Sequence, residues 1–271
     1  MDRRHFIATA GAISITGLPK IAIAADDMRI VSETPPLPKD LADKAASPPA
    51  PYFEVVAVGT APPLETEKLT AHQLLLDSPY QCNPLDVAEY FLAIAQGAHG
   101  AEVRQYAREW PIRANPVIFH FFAATQTRPD GDETAWCAAF INWCILRSMA
   151  SEKEEIGGSK GTFSVSGKAF NVNNMKHHST NDAASGSFRC WQGTAQPKPG
   201  EIVVFKNPGT DDLTKVCKGA GHVAFFLSTP RASSVKVLGG NQTSPGSGGA
   251  VTIAEWSTGP NSRFMKYVSL K

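Results

Sequence analysis

Glu133-Thr134-Ala135-Trp136-Cys137-Ala138-Ala139-Phe140 sets a cysteine at the start of an apolar helical pattern, and well downstream Gly221-His222-Val223-Ala224-Phe225-Phe226 opens a strand with a histidine. A thiol at a helix N-terminus feels the positive end of the peptide dipole, which favours thiolate. An imidazole beside it can hold the ion pair and carry the proton. The apolar spacing predicts a helix over about 134–149, buried nearly all round against a sheet, with Asp132 or Thr134 capping its amides. Taken alone, a cysteine among Ala, Trp and Phe is most often a small buried hydrophobe. The ordered combination with a downstream histidine is what points to nucleophilic catalysis.

Val235-Lys236-Val237-Leu238-Gly239-Gly240-Asn241-Gln242 reads as a second strand. If the chain turns through 229–234 and returns antiparallel, Ser228 faces Val235, and the same register sets His222 directly across from Asn241. Directly opposed residues project to one face. Asn241 is then expected to accept the imidazole N–H, fix the tautomer and leave the other nitrogen for Cys137. Gln242 in a continuing strand points to the opposite face. The competing role for Asn241, after two glycines, is that of a turn residue in the left-handed conformation.

These runs, together with Asn142-Trp143-Cys144, Trp191-Gln192-Gly193 and Lys198-Pro199-Gly200-Glu201-Ile202-Val203-Val204-Phe205, resemble over residues 115–260 the NlpC-type and CHAP (cysteine, histidine-dependent amidohydrolase/peptidase) hydrolases. The resemblance implies an α+β fold with a papain-like core, in which a buried catalytic helix packs on an antiparallel sheet. It also implies an amide bond of peptidoglycan stem peptides as substrate. Carried over by residue, Cys137 matches the nucleophile, His222 the base and Asn241 the polar residue that orients the base; many members have a second histidine or an acid there. Trp136, Trp191 and Gln242 are expected to contact substrate. No cofactor or metal is implied. The alternative is a catalytically silent wall-binding module of the same fold, docking through its Pro-rich segment.

The rest of the chain supplies context. Arg3-Arg4-His5-Phe6, a mildly apolar stretch and the small-residue Ala22-Ile23-Ala24 read as a twin-arginine export signal over residues 1–24, too interrupted for a stable membrane anchor. A periplasmic or extracellular location after export is expected. Without those residues 23 basic side chains face 24 acidic ones, which leaves no basic footprint for nucleic acid. Residues 25–81 read as a Pro-rich linker or arm, with a short strand at 53–58. The prolines of 33–64 argue against any helix or packed core there. Residues 82–271 read as a helical lead-in plus the hydrolase domain, expected to act as a monomer. Asn83-Pro84 and Asn115-Pro116 each mark a helix start, with a short helix at 101–109 between them and His120 as a core histidine. Residues 151–187 form a long excursion.

Five cysteines, Cys82, Cys137, Cys144, Cys190 and Cys217, suit an exported protein with one free thiol and up to two disulfides. Cys137 and Cys144 lie about 10 Å apart along a helix, too far to bond. The other four leave three pairings open. A zinc site from His177, His178, Cys190 or Cys217 matches no ordinary ligand spacing.

Overall fold

The computed structural model describes residues 27–46, 59–132, 134–153, 162–165, 168–171, 179–207, 217–243 and 248–270. The expected export signal, the strand at 53–58, and His177 and His178 lie outside the described residues.

The expected buried helix forms as α5 (Cys137–Ser148), and all twelve of its residues are buried. Its Phe140, Ile141, Trp143, Ile145 and Leu146 each contribute about 1.5–3 kcal/mol by leaving water. Around it pack α2 (Glu65–Asp77), α3 (Pro84–Gln96) and α4 (Pro116–Phe121), the last two beginning at the anticipated Asn-Pro steps. Asn115 Oδ1 accepts from Val117 N at 2.9 Å, while Asp86 accepts from Asn83 N at 2.9 Å. The stretch expected to be helical at 101–109 is a 3-10 turn over Ala101–Ala107.

Beneath the helices lies a seven-stranded antiparallel sheet in the order β1-β8-β7-β6-β5-β9-β4. Its strands are β1 (Met28–Ile30), β4 (Gly193–Thr194), β5 (Ile202–Lys206), β6 (Gly221–Arg231), β7 (Ser234–Gln242), β8 (Ala250–Ser257) and β9 (Phe264–Val268). A separate hairpin of β2 (Thr162–Val165) and β3 (Lys168–Asn171) falls within the long excursion after α5. Strand alternation divides the core. Ile202, Val204, Val223, Phe225 and Leu238 join the helices. Val203, Phe205, Ala224, Val237 and Trp256 form a second cluster on the other face. The fold is therefore α+β, with a buried helix on an antiparallel sheet.

Two expectations need correction here. The Pro-rich stretch does hold a helix, α1 (Lys39–Ala46), which fits between Pro38 and Pro48. Its Leu41 is fully buried, and its Asp40 pairs with the buried Arg113 at 2.7 Å, while Glu67 takes the rest of that guanidinium. A buried cation needs such partners, so this segment is tied to the body. The N-terminus of α5 is capped by neither expected residue. The Asp132 carboxylate accepts instead from Trp110 N at 2.9 Å and Asn115 N at 2.8 Å, and Thr134 Oγ1 accepts from Asp130 N.

Close contact between β7 and α5 requires glycine at 240, where a Cβ would overlap the Trp136 ring and crowd Phe140. Gly240→Ala is expected to destabilise the protein by about 1–3 kcal/mol through overpacking. Gly193→Ala, whose Cβ would meet nothing closer than 3.6 Å, should be nearly neutral. Denaturant unfolding of the two variants checks the contrast.

Candidate active site

Cys137 occupies the first helical position of α5, with Trp136 as N-cap. Its thiol is 3% exposed. Backbone N–H groups of Val223, Ala138 and Cys137 itself point to the sulfur. The first of these is the peptide that links His222 to Val223, so the helix delivers the sulfur to the strand carrying the histidine. Ladder partners of β6 and β7 run outward from Phe225↔Leu238, and the sulfur lies beyond that pair.

His222 is the second residue of β6 and is 6% exposed. Its ring belongs to the face opposite α5. Trp256 stacks on it at 5.2 Å with an interplanar angle of 15°, and Phe205 stacks on Trp256 at 4.3 Å while lying 6.0 Å from the imidazole. The residue that holds the ring is Gln242, not Asn241. Gln242 Nε2 donates to Thr252 O at 2.6 Å and to Gly239 O at 3.3 Å, so its oxygen is turned toward Trp256 Nε1, from which it accepts at 3.2 Å, and toward the imidazole. His222 Nε2 is buried with no hydrogen-bond partner among the described residues.

The exchange of roles follows from a β-bulge. Phe225↔Leu238 and Phe226↔Val237 keep the expected register at the inner end of the hairpin, although the turn is tighter than anticipated, with Arg231 facing Ser234. Between β7 and β8, however, Gly239 faces Thr252 and Gln242 faces Ala250. One extra residue is accommodated in β7, and Asn241 takes φ +56°. The alternation slips by one, so Gln242 inherits the face expected for Asn241. Asn241 turns instead to the helix terminus. Its Nδ2 donates to Glu109 Oε1 at 3.0 Å, and its oxygen accepts from Trp136 N at 3.2 Å.

Trp136, expected at the substrate, is fully buried; its Nε1 donates to Glu109 Oε1 at 2.7 Å, and it offers no surface to a ligand. Glu109 Oε2 also accepts from Gly249 N at 2.6 Å. Trp191 is half-buried against Phe188 at 4.9 Å. A cavity of about 970 Å³ bounded by Pro62, Pro63, Phe119, Phe122 and Arg128 contains neither Cys137 nor His222.

Burial governs the protonation states. It pushes the Cys137 thiol above its usual range, against the pull of the three amides and the positive charge of Arg263. It depresses the His222 imidazole from 6.5 to about 3, helped by Arg263 and opposed by the Gln242 hydrogen bond. The resting site therefore holds a neutral thiol and a neutral imidazole, rather than the ion pair expected from the helix dipole alone. Arg263 sits over the Trp256 ring at 5.1 Å and donates to Lys206 O at 2.9 Å. Nothing in local periodicity marked Arg263, Trp256 or Glu109, because each reaches the site through long-range contacts.

One disulfide is present, Cys190–Cys217. None of the three two-disulfide pairings forms in full, since Cys82 and Cys144 stay unbonded, and the bond takes Cys190 and Cys217 out of the zinc set considered above. Cys82, Cys137 and Cys144 are free thiols.

Two measurements follow. Alkylation of Cys137 by iodoacetamide should still be accelerating above pH 9.0, the ordinary thiol value; a plateau near neutrality would establish a preformed thiolate. The folded pKa of His222 is depressed, so its contribution to stability is present above 6.5 and lost as pH falls toward 3, where only the unfolded chain takes up that proton. Denaturation midpoints should thus drop less between pH 7 and pH 4.5 in His222→Gln than in the unsubstituted protein.

Comparison with known proteins gives one family match. No curated protein and no solved structure matches the chain. The family model described as the CHAP domain matches residues 129–241, from before α5 to the end of β7, and Cys137, His222 and Asn241 all fall within that stretch. Residues 129–241 are thus similar to the CHAP domain.

Proposed function

We propose that the protein is an exported cysteine hydrolase that cuts an amide bond in peptidoglycan stem peptides. A CHAP domain is of the amidase/peptidase type that acts on the cell wall. The observation that supports the mechanism is the meeting of helix and strand: the backbone amide of Val223, the residue after His222, points to the Cys137 sulfur, while the buried His222 ring is oriented by Gln242 and Trp256. In this reading the His222 imidazole takes the thiol proton as sulfur attacks the carbonyl carbon. The oxyanion is held by backbone amides at the start of α5, and the proton passes to the leaving amine. Water then hydrolyses the thioester. Gln242 performs the orienting role first assigned to Asn241, while Asn241 fixes the end of the helix that bears the nucleophile. The export signal over residues 1–24 supports a periplasmic or extracellular substrate. Among the described residues no helix is long and apolar enough to cross a membrane.

One observation favours the rival, a module that binds wall material without cutting it: both reactive side chains are almost wholly buried. Release of soluble muropeptides from purified peptidoglycan separates the two. Cys137→Ser should abolish release while preserving the fold, because a hydroxyl ionises far less readily than a thiol. Gln242→Ala should lower the rate by about 10- to 100-fold, as expected for a residue that orients another. Undiminished release by Cys137→Ser would overturn the catalytic assignment. New amino and carboxyl termini, read by mass spectrometry, name the bond.

A further inference from the structure

The 3-10 segment Ser185–Cys190 lies along the approach to His222, and every carbonyl from 218 to 220 is bound to it. Arg189 Nη1 donates to Lys218 O at 2.8 Å, Gly186 N to Gly219 O at 2.9 Å, and Arg189 Nη2 to Ala220 O at 2.5 Å. The Cys190–Cys217 disulfide closes the same pairing one residue earlier, with its Cα atoms 5.3 Å apart. The packing leaves no slack. A Cβ at Gly186 would overlap the Lys218 carbonyl, and one at Gly221 would overlap Phe205 O.

The ties differ in accessibility. Arg189 is 1% exposed, its charge opposed by desolvation and answered by carbonyl dipoles. Cys190 and Cys217 are both exposed. A solvent-facing disulfide is open to thiol exchange, while the guanidinium beneath it is not. On its other side the His222 ring is held by Gln242 and Trp256, which belong to β7 and β8. The backbone of the first strand residues and the ring are thus fixed by separate parts of the chain. The ladder with β5 begins at Gly221 and His222, which face Lys206 and Phe205, and continues through Val223, Ala224 and Phe225, so the clasp adds to that pairing at the strand's entrance.

We propose that Arg189 and the Cys190–Cys217 disulfide form a clasp that positions His222, so that turnover depends on the oxidised disulfide while the fold does not. This rests on the reading of His222 as the base of the site. Arg189 is a positioning residue, acting through the backbone. Opening the clasp is ordinary exchange: a dithiol gives two electrons and two protons, Cys190 and Cys217 become thiols, and the reductant becomes a disulfide. Closing it needs a disulfide oxidant of the low-molecular-weight or oxidoreductase class, which accepts the same two electrons and two protons. The chain would be idle under reducing conditions and become competent in an oxidising one.

The test uses the full chain with isotope-labelled histidine. The His222 ring is identified by the signal lost in His222→Gln, and its titration is read beside kcat and KM for muropeptide release. In Cys190→Ser/Cys217→Ser, and in wild type treated with a phosphine reductant, the unfolding midpoint should stay close to that of the oxidised protein. The ring should move from its depressed titration toward 6.5, and kcat should fall about 10- to 100-fold with KM little changed. Reoxidation with glutathione disulfide should restore both readouts in wild type. Arg189→Lys, which keeps the disulfide and part of the donor set, should give an intermediate loss. Unchanged ring titration and kcat in the serine variant would overturn the clasp. So would global unfolding on reduction, since the disulfide would then be a staple of the fold. If the wild type releases no muropeptides, the proposed function fails, and the ring titration still decides whether the clasp positions His222.

Discussion

A single additional residue in β7 fixes the chemistry of this site. Asn241 leaves the strand through a positive φ, a conformation that asparagine tolerates better than most side chains. That one step points two neighbouring carboxamides to different ends of the site. Gln242 enters the stack of His222 and Trp256 with its amide nitrogen already committed to Thr252 and Gly239. Asn241 reaches back to the amide of Trp136 and to Glu109. The His222 ring and the helix end that bears Cys137 are therefore held from adjacent positions on one bulge, so their relative placement is set by backbone geometry.

The low-polarity setting decides how such a pair can work. In water an imidazole and a thiol near a helix N-terminus would exchange a proton readily. Here desolvation raises one group and depresses the other, and the charged pair is the less stable form. In the proposed mechanism proton transfer would accompany attack instead of preceding it, and a bound substrate that alters the local dielectric would change the driving force directly. Arg263 sharpens this asymmetry, since its charge favours thiolate and disfavours imidazolium.

Much of the architecture was legible in the sequence. The apolar surround of Cys137 gave α5, the two Asn-Pro steps gave the starts of α3 and α4, and the apolar runs of β6 and β7 gave the inner hairpin register. What escaped was the bulge. A period of two predicts which face each residue takes only while the ladder is regular, and the φ of Asn241 is set by contacts with Glu109 and Trp136, not by its neighbours in sequence. The helix between Pro38 and Pro48 escaped for a related reason: proline density forbids long helices but leaves room for two turns, and Arg113 supplies the partner that stabilises them. Glu109, Arg189 and Trp256 act over long sequence distances, which no local pattern records.

Glu109 has a consequence for the borders of the functional unit. It lies 20 residues ahead of the matched stretch 129–241, yet it receives the indole of Trp136 and the amide of Gly249. Trp256, which stacks on His222, and Thr252, which holds Gln242, lie beyond the other border. A segment excised at the limits of the match would keep Cys137 and His222 and lose Glu109, Gln242, Thr252 and Trp256, which hold their surroundings in register. In this chain the unit of inheritance, as a family profile sees it, is smaller than the unit of mechanical support.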